Sequence, residues 1–376
     1  MFLEHLNLVN FRNYDSLNIK LSKNINIFYG KNAQGKTNIL ESIYYLGLTK
    51  SYRTKDDNDI IKDNKKVFKV EGILNNNNYK NKYSIKYKNN DKKLYIDDFE
   101  YKKISDYISK INIITFTPDD LEILKGIPDI RRKYIDNELS QLYSTYYKVN
   151  LEYKKILKMR NDLLKQININ KNIDMNYFNI LTQYLIDKST FIYRARNKFI
   201  IKINEEISKI YENIIKIKDL KIIYKNQLEI NDYKDDLIKE KLNNLYKDNF
   251  YKEKEAGVTL YGPHRDDYEF YINDKNIKLY GSQGQQKLAI LSMKLSEIKI
   301  FNNQTKSFPI LLLDDVFSEF DREKINNIMK YILDNMQVII TSTDVKNIQK
   351  KILDQSLIYK IENGTIKKDN RGDING

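Results

Sequence analysis

A chain of 376 residues, 31% charged and 41% hydrophobic, can bury a sizeable core in one large or two moderate domains. With no run of about 18 apolar positions and with Glu4 and Asn7 interrupting the start MFLEHLNLVNFRNYD, neither a membrane span nor a secretion signal is expected, and a soluble cytoplasmic protein is the expectation. The absence of Cys and the presence of only two His exclude a disulfide framework, a cysteine zinc site and a histidine cluster, while a net charge of +14 points to an anionic partner such as nucleic acid.

That charge is diluted by a general bias. Lys, Asn, Ile and Tyr abound while Arg occurs 10 times, as an AT-rich coding sequence would produce. Positions where Gly, Pro, Arg or Ala persist against the bias are therefore the informative ones.

In chain order, the first 30 residues read as short strands, alternating in LEHLNLVNF and closing with INIFYG. The helix ILESIYYLGL follows and stops near Gly47. Residues 67 to 98 read as a β-meander with turns at the Asn75 to Asn78 run and at Asn89-Asn90-Asp91. After NIITFTPDDLEIL, long helical patterns carry Tyr146, Val149, Tyr153, Ile156 and Leu157 on packing faces, interrupted by the loop NININKNIDMN and a short strand LKIIY. Strand texture returns at DYEFYIN and IKLYG. The first and last segments thus form one α/β domain, residues 1–118 and 251–376, with a helical lobe, 119–250, inserted between them.

Gly30-x-x-x-x-Gly35-Lys36-Thr37 lies between a strand and a helix, as a P-loop requires. Its glycines let backbone N–H groups along Lys31, Asn32, Ala33 and Gln34 turn onto phosphate oxygens. Lys36 neutralises the β and γ phosphates of ATP, and Thr37 offers its hydroxyl to Mg²⁺. In PILLLDDVFSEFD, Ile310 to Leu313 read as a buried strand that delivers Asp314 to Mg²⁺ and Asp315 to the attacking water as the catalytic carboxylate. Small-molecule kinases share both elements.

The stretch LYGSQGQQKLAILSMKL between them changes the class. Ser282, Gln283, Gly284 and Gln285 precede a helix with Leu288, Leu291, Leu295 and Ile298 on one face, and resemble the signature of ABC-type ATPases. A serine hydroxyl, a glycine N–H and a positive helix end can meet a γ-phosphate when no β-carbon stands at Gly284. A purely structural helix cap by Ser282 is the alternative.

Taken together and in order, NFRNYDSLNI, GKNAQGKTNILESIYYL, TKSYRT, FTPDDLEILKGIPDIRRKYID, YGPHRDDYEF, SQGQQK and LLLDDVFSEFD resemble the RecF family, in the SMC/Rad50-like branch of ABC ATPases, essentially end to end. The resemblance implies an α/β fold, an ABC-type P-loop ATPase head with an inserted helical lobe. It implies an ATP-dependent homodimer in which each signature caps the ATP of the other copy, and weak hydrolysis. It also implies binding to DNA at single-strand gaps and junctions, and action with RecR, and through it RecO and RecA, in DNA damage repair and the SOS response, with no membrane partner. Arg12 matches a basic position that approaches the nucleotide, or is an ordinary surface arginine. Ser318 and Asp321 match the loop that crosses the dimer interface, with Phe320 where Leu is usual, and Gly281 and Lys287 replace Ala and Arg beside the signature.

Two departures bear on chemistry. Asp315 stands where a catalytic Glu is usual, which shortens its reach, and Thr341, Ser342 or Thr343 takes the place of the switch His. YGPHRDD reads equally as an interface or nucleotide-edge element and as a salt-bridged turn. Arg131 and Arg132 read as DNA-phosphate contacts or as partners of Asp129 and Asp136. The alternative to a DNA-repair ATPase is a nucleotide-regulated ABC subunit of a transporter or other complex, which predicts a shorter insertion, a switch His and a membrane partner.

Overall fold

The computed structural model describes residues 1–369 except 77–78, 170–172, 216–218, 231, 317–321, 333–335, 346–347, 349 and 363. The chain divides into two units, Met1–Asp120 with Ile210–Ile217 and Leu291–Gly376, and Leu121–Lys209 with Lys218–Ile290.

The first unit contains two six-stranded sheets. One is antiparallel, from β1 (Phe2–Phe11), β2 (Tyr14–Lys20), β4 (Val67–Asn76), β5 (Tyr79–Lys88), β6 (Asp91–Ile96) and β7 (Phe99–Tyr101), in the order β2-β1-β4-β5-β6-β7. Its apolar side chains favour one face, though Glu71 and Ser84 are buried on the other. Leu6, Leu8, Val70, Ile85 and Leu94 are buried on one face, while Lys86 and Lys93 lie exposed on the other.

The second sheet joins β3 (Ile25–Tyr29), β8 (Ile113–Phe116), β12 (Ile310–Asp314), β13 (Val338–Ser342), β14 (Ser356–Glu362) and β15 (Thr365–Asp369), in the order β15-β14-β3-β13-β12-β8. All its pairings are parallel except that of β14 with β15. Every residue of β12 and β13 is buried, as continuous apolar runs covered on both faces should be. Helix α1 (Lys36–Leu48) packs against strands of both sheets, so 11 of its residues are buried and its apolar positions run around it rather than along one stripe. α2 (Ile104–Tyr107), α11 (Arg322–Ile332) and α12 (Lys350–Leu353) complete this unit.

The second unit holds α3 (Leu121–Lys125), α4 (Pro128–Leu142), α5 (Ser144–Asn168), most of α6 (Met175–Ile215), α7 (Asp235–Asp248) and α8 (Phe250–Ala256). Pro128 opens α4, where its missing N–H costs nothing. A three-stranded antiparallel sheet, β9 (Leu220–Lys225), β10 (Asp267–Ile272) and β11 (Lys275–Asn276), belongs to this unit.

That sheet moves the expected boundary at residue 250. β10 pairs along its whole length with β9, from Asp267↔Lys225 to Ile272↔Leu220, so residues up to Ile290 cluster with the helical lobe rather than with the ATPase sheets. IKLYG is also not a strand. Asn276 accepts a hydrogen bond from the Lys278 N–H and caps α9 (Ile277–Tyr280), a short helix ended by Gly281. α10 (Gln283–Thr305) then runs from the second unit into the first. Among the described residues no helix is long and apolar enough to cross a membrane.

Candidate functional site

β3 ends at Tyr29 and α1 begins at Lys36, so the intervening loop presents its N–H groups at the carboxyl end of a parallel sheet. Gly35 has φ +107°, and a Cβ there would lie 2.5 Å from Asn13 Nδ2 and 2.8 Å from the Tyr14 hydroxyl. The β1–β2 turn braces the loop from the side. Asn13 donates to the Gln34 carbonyl (3.2 Å), Asn38 donates to Asn13 Oδ1 (2.8 Å), and the Tyr14 hydroxyl donates to the Gly35 carbonyl (3.1 Å).

Lys36 folds over the loop and donates to the Gly30 (2.6 Å) and Lys31 (2.8 Å) carbonyls. Burial lowers its pKa, and Asp315 and Asp314 oppose that shift. Thr37 donates to Asp314 Oδ1 at 3.1 Å, so the two motifs, 277 residues apart, meet. Thr341 donates to the same oxygen at 2.5 Å and accepts from the Asp315 N–H at 3.1 Å. Asp315 itself takes a left-handed φ of 51°, a conformation Asp tolerates.

A cleft of about 330 Å³ is lined by Asn32, Ala33, Gly35 to Asn38, Arg53, Asp314 and Asp315. Its donor set fits a magnesium nucleotide: a loop of N–H groups and an ammonium for phosphate, and a hydroxyl beside a carboxylate for a hard cation. Among the described residues no three His, Cys, Asp or Glu side chains form a group that could hold a metal ion by themselves.

Arg12 reaches across to α1. Its guanidinium is spent on the fully buried Glu41, through Nε (3.0 Å) and Nη2 (2.5 Å), and on the Asp59 carbonyl (2.7 Å). Arg53, which reasoning from motifs left without a role, shares Glu41 (3.0 Å), donates to Asn38 (2.7 Å) and lines the cleft. Its signal was its residue type, one of 10 arginines in a lysine-rich chain. Ser318 and Asp321 lie outside the described residues.

The signature residues Ser282, Gln283 and Gly284 are exposed, and Gln285 is half-buried, at the start of α10 in the second unit. The Ser282 N–H donates to Gln285 Oε1 (2.9 Å) while the Gln285 N–H donates to Ser282 Oγ (3.3 Å), a capping box. The two glycines divide the work. A Cβ at Gly281 would press on the Ile277 carbonyl at 2.7 Å, whereas a Cβ at Gly284 would meet nothing within 4 Å. Packing thus requires Gly281, while the face of Gly284 is open to an approaching ligand.

YGPHRDD resolves as a salt-bridged turn inside the second unit. Asp266 is buried against Arg196 (2.7 Å) and the Tyr224 hydroxyl (2.5 Å), and Asp267 binds Arg131 (2.5 Å). Arg196 also binds Asp136 (2.8 Å), so neither Asp129 nor Asp136 holds Arg131. Arg131 is 5% exposed and committed to Asp267 and the Gly126 carbonyl (2.8 Å), which takes it away from DNA phosphate. Arg132 donates to the Asp266 carbonyl (2.7 Å) and stands 3.6 Å from Asp129. His264 receives the Tyr153 hydroxyl at Nδ1 (2.6 Å) and donates from Nε2 to the Thr259 carbonyl (3.0 Å). Burial, the main cause, lowers its pKa to about 4.

The family described as RecF/RecN/SMC N terminal domain matches residues 2–367. The DNA replication and repair protein RecF of Ligilactobacillus salivarius is 37% identical, with 98% of each chain covered. That of Halalkalibacterium halodurans is 36% identical, covering 98% of this chain and 100% of the relative. A solved structure of the recombination mediator protein RecF with ATP, in the RecFOR pathway, superposes with a TM-score of 0.91 at 31% identity over 98% of this chain and 97% of that one. An Smc head bound to the C-winged helix domain of ScpA shares the fold, with a TM-score of 0.55 at 15% identity over 98% and 97% of the two chains.

Proposed function

The chain belongs to the RecF family of DNA replication and repair proteins, and from that premise we propose that it is an ATP-switched DNA clamp of recombinational repair. The observation that carries this reading is the convergence of Lys36, Thr37, Asp314 and Asp315 on one phosphate-sized cleft. Lys36 and the loop N–H groups hold the β and γ phosphates, Thr37 and Asp314 hold Mg²⁺, and Asp315 positions the attacking water. The short reach of Asp315 keeps hydrolysis slow. Thr341, bonded to Asp314 and to the Asp315 backbone, takes the place of the switch His.

ATP joins two copies, with Ser282, Gln283, Gly284 and Gln285 of each copy capping the γ-phosphate held by the other, and Ser318 and Asp321 at the interface. The joined form holds single-stranded and duplex DNA at gapped junctions through the backbone, and hydrolysis releases it. Through RecR, and RecO with it, the clamp helps load RecA in the response to DNA damage, in the cytoplasm. The RecFOR setting of the ATP-bound relative supports these partners.

Sedimentation of Asp315→Asn with ATP, with and without gapped DNA, tests the reading. The variant should dimerise with ATP and bind the DNA more persistently than the wild type. A protein that stays monomeric and ignores both ligands is not a clamp.

A further inference from the structure

The register of the antiparallel sheet places lysines in a line that no single strand reveals. Lys69 pairs with Lys86, and Lys86 with Lys93, so three lysines stand directly opposite one another on three neighbouring strands. They lie on the face opposite the buried Leu8, Val70, Ile85 and Leu94. Like charges in direct cross-strand register repel. A drift toward lysine puts the residue on any solvated position, but this alignment stands against a local electrostatic cost.

Part of that cost is offset within the sheet. Glu71, nearly buried, takes Lys69 at 2.6 Å, Lys82 at 3.4 Å and the Asn7 amide at 3.0 Å. Lys86 and Lys93 are exposed and make no ion pair among the described residues. The Lys86 ammonium lies over the ring of Tyr95 at 5.4 Å. Other acids around this face are Asp91 opposite Lys88, Glu100 opposite Tyr95, Asp98 at 3.5 Å from Lys82 and Glu4 at 2.8 Å from Lys80.

The row beside the lysines runs Asn18, Asn7, Glu71, Ser84, Tyr95 across five strands. Ser84 is 4% exposed and its hydroxyl has no hydrogen-bond partner. The face therefore presents aligned cations, and the exposed large apolar side chain of these two rows is Val9, 36% exposed opposite Lys69, short of the aromatic anchors of a protein interface. With strands about 4.8 Å apart, the three lysines span roughly 10 Å, enough for two or three consecutive phosphates of one DNA strand.

We propose that the solvent face of this sheet, through Lys86 and Lys93 beside Lys69, is a docking surface for the nucleic-acid phosphate backbone. This rests on the DNA-binding reading above and adds the surface that makes the contact. The binding is insensitive to sequence, because the row presents ammonium groups to phosphate and no groove-reading element.

The test compares full-length wild type with Lys86→Gln/Lys93→Gln, by fluorescence anisotropy on labelled duplex and single strands between about 50 and 200 mM NaCl, with ATP. Two lost phosphate contacts make the slope of log K against log salt shallower by about 2 on duplex, equally for unrelated sequences. The melting temperature should stay the same or rise as like charges are relieved, which separates lost contacts from lost folding. An unchanged slope overturns the proposal, as does an equal loss in the control Lys247→Gln/Lys252→Gln. If the slope is unchanged and retention on immobilised polyglutamate falls instead, the row docks an acidic protein. Wild type that binds neither DNA sinks the parent reading as well.

Discussion

At the scale of single residues, this molecule spends its scarce arginines on buried carboxylates. Arg12 and Arg53 converge on Glu41, Arg160 on Glu253, and Arg196 on Asp136 and Asp266. Removing one partner of such a pair would strand a buried charge. His264 is the complementary case, a neutral ring held between Tyr153 and Thr259. Its folded pKa of about 4 lies below the ordinary 6.5, so as pH falls the unfolded chain takes the proton first. Stability is therefore full above about 6.5 and is lost as pH falls toward 4, by roughly 3 kcal/mol at most. Asp266, raised to about 7 by burial, acts in the opposite sense, its contribution being present below about 4 and lost as pH rises through 7. The single-site variant carries the test: in urea denaturation at pH 7 and pH 5, His264→Gln should be less stable than wild type at pH 7 and lose much less on acidification. A variant with the wild-type pH dependence would remove His264 from this account.

At the scale of elements, the start of α10 separates two roles that look alike in the sequence. Gly281→Ala forces a Cβ onto the Ile277 carbonyl and should cost about 1–3 kcal/mol, read as a lowered melting temperature. Gly284→Ala meets no neighbour in the first turn of a helix and should leave the fold as stable or raise it by roughly 0.5–1 kcal/mol. It should nevertheless weaken ATP-dependent dimerisation in sedimentation, because in the proposed dimer the added methyl would stand where the partner's phosphate approaches. Wild-type dimerisation by Gly284→Ala would return this stretch to a simple helix cap, a role the Ser282–Gln285 box already fills. The elements also show where pattern reading failed. IKLY has the apolar spacing of a strand, but the tight turn at Asn273 and Asp274, both at positive φ, and the Asn276 cap turn it into a helix.

At the scale of the whole molecule, the proposed clamp places each ATP between two chains, which makes defects complementable. Lys36→Met removes the phosphate grip, and Ser282→Arg blocks the cap. Each homodimer then has two damaged sites, whereas a mixed dimer has one site built from an intact P-loop and an intact signature. Mixing the two variants should restore ATP-dependent association and part of the hydrolysis. If the mixture is no better than the separate variants, the signature does not act in trans.

The sequence by itself determined the fold class, the P-loop, the Asp314–Asp315 strand end and the signature stretch, because each is a contiguous run whose glycine positions, apolar spacing and polar termini specify local backbone geometry. Only the tertiary structure decided that Arg12 and Arg53 share Glu41, that Thr341 joins the acidic pair, that YGPHRDD closes a buried charge network, and that β10 belongs to the second unit. These are pairings between distant segments. A strand carries its own alternation but not its register, and a one-residue slip would turn every side chain to the other face. The alignment of Lys69, Lys86 and Lys93 exists only once three strands have chosen one another.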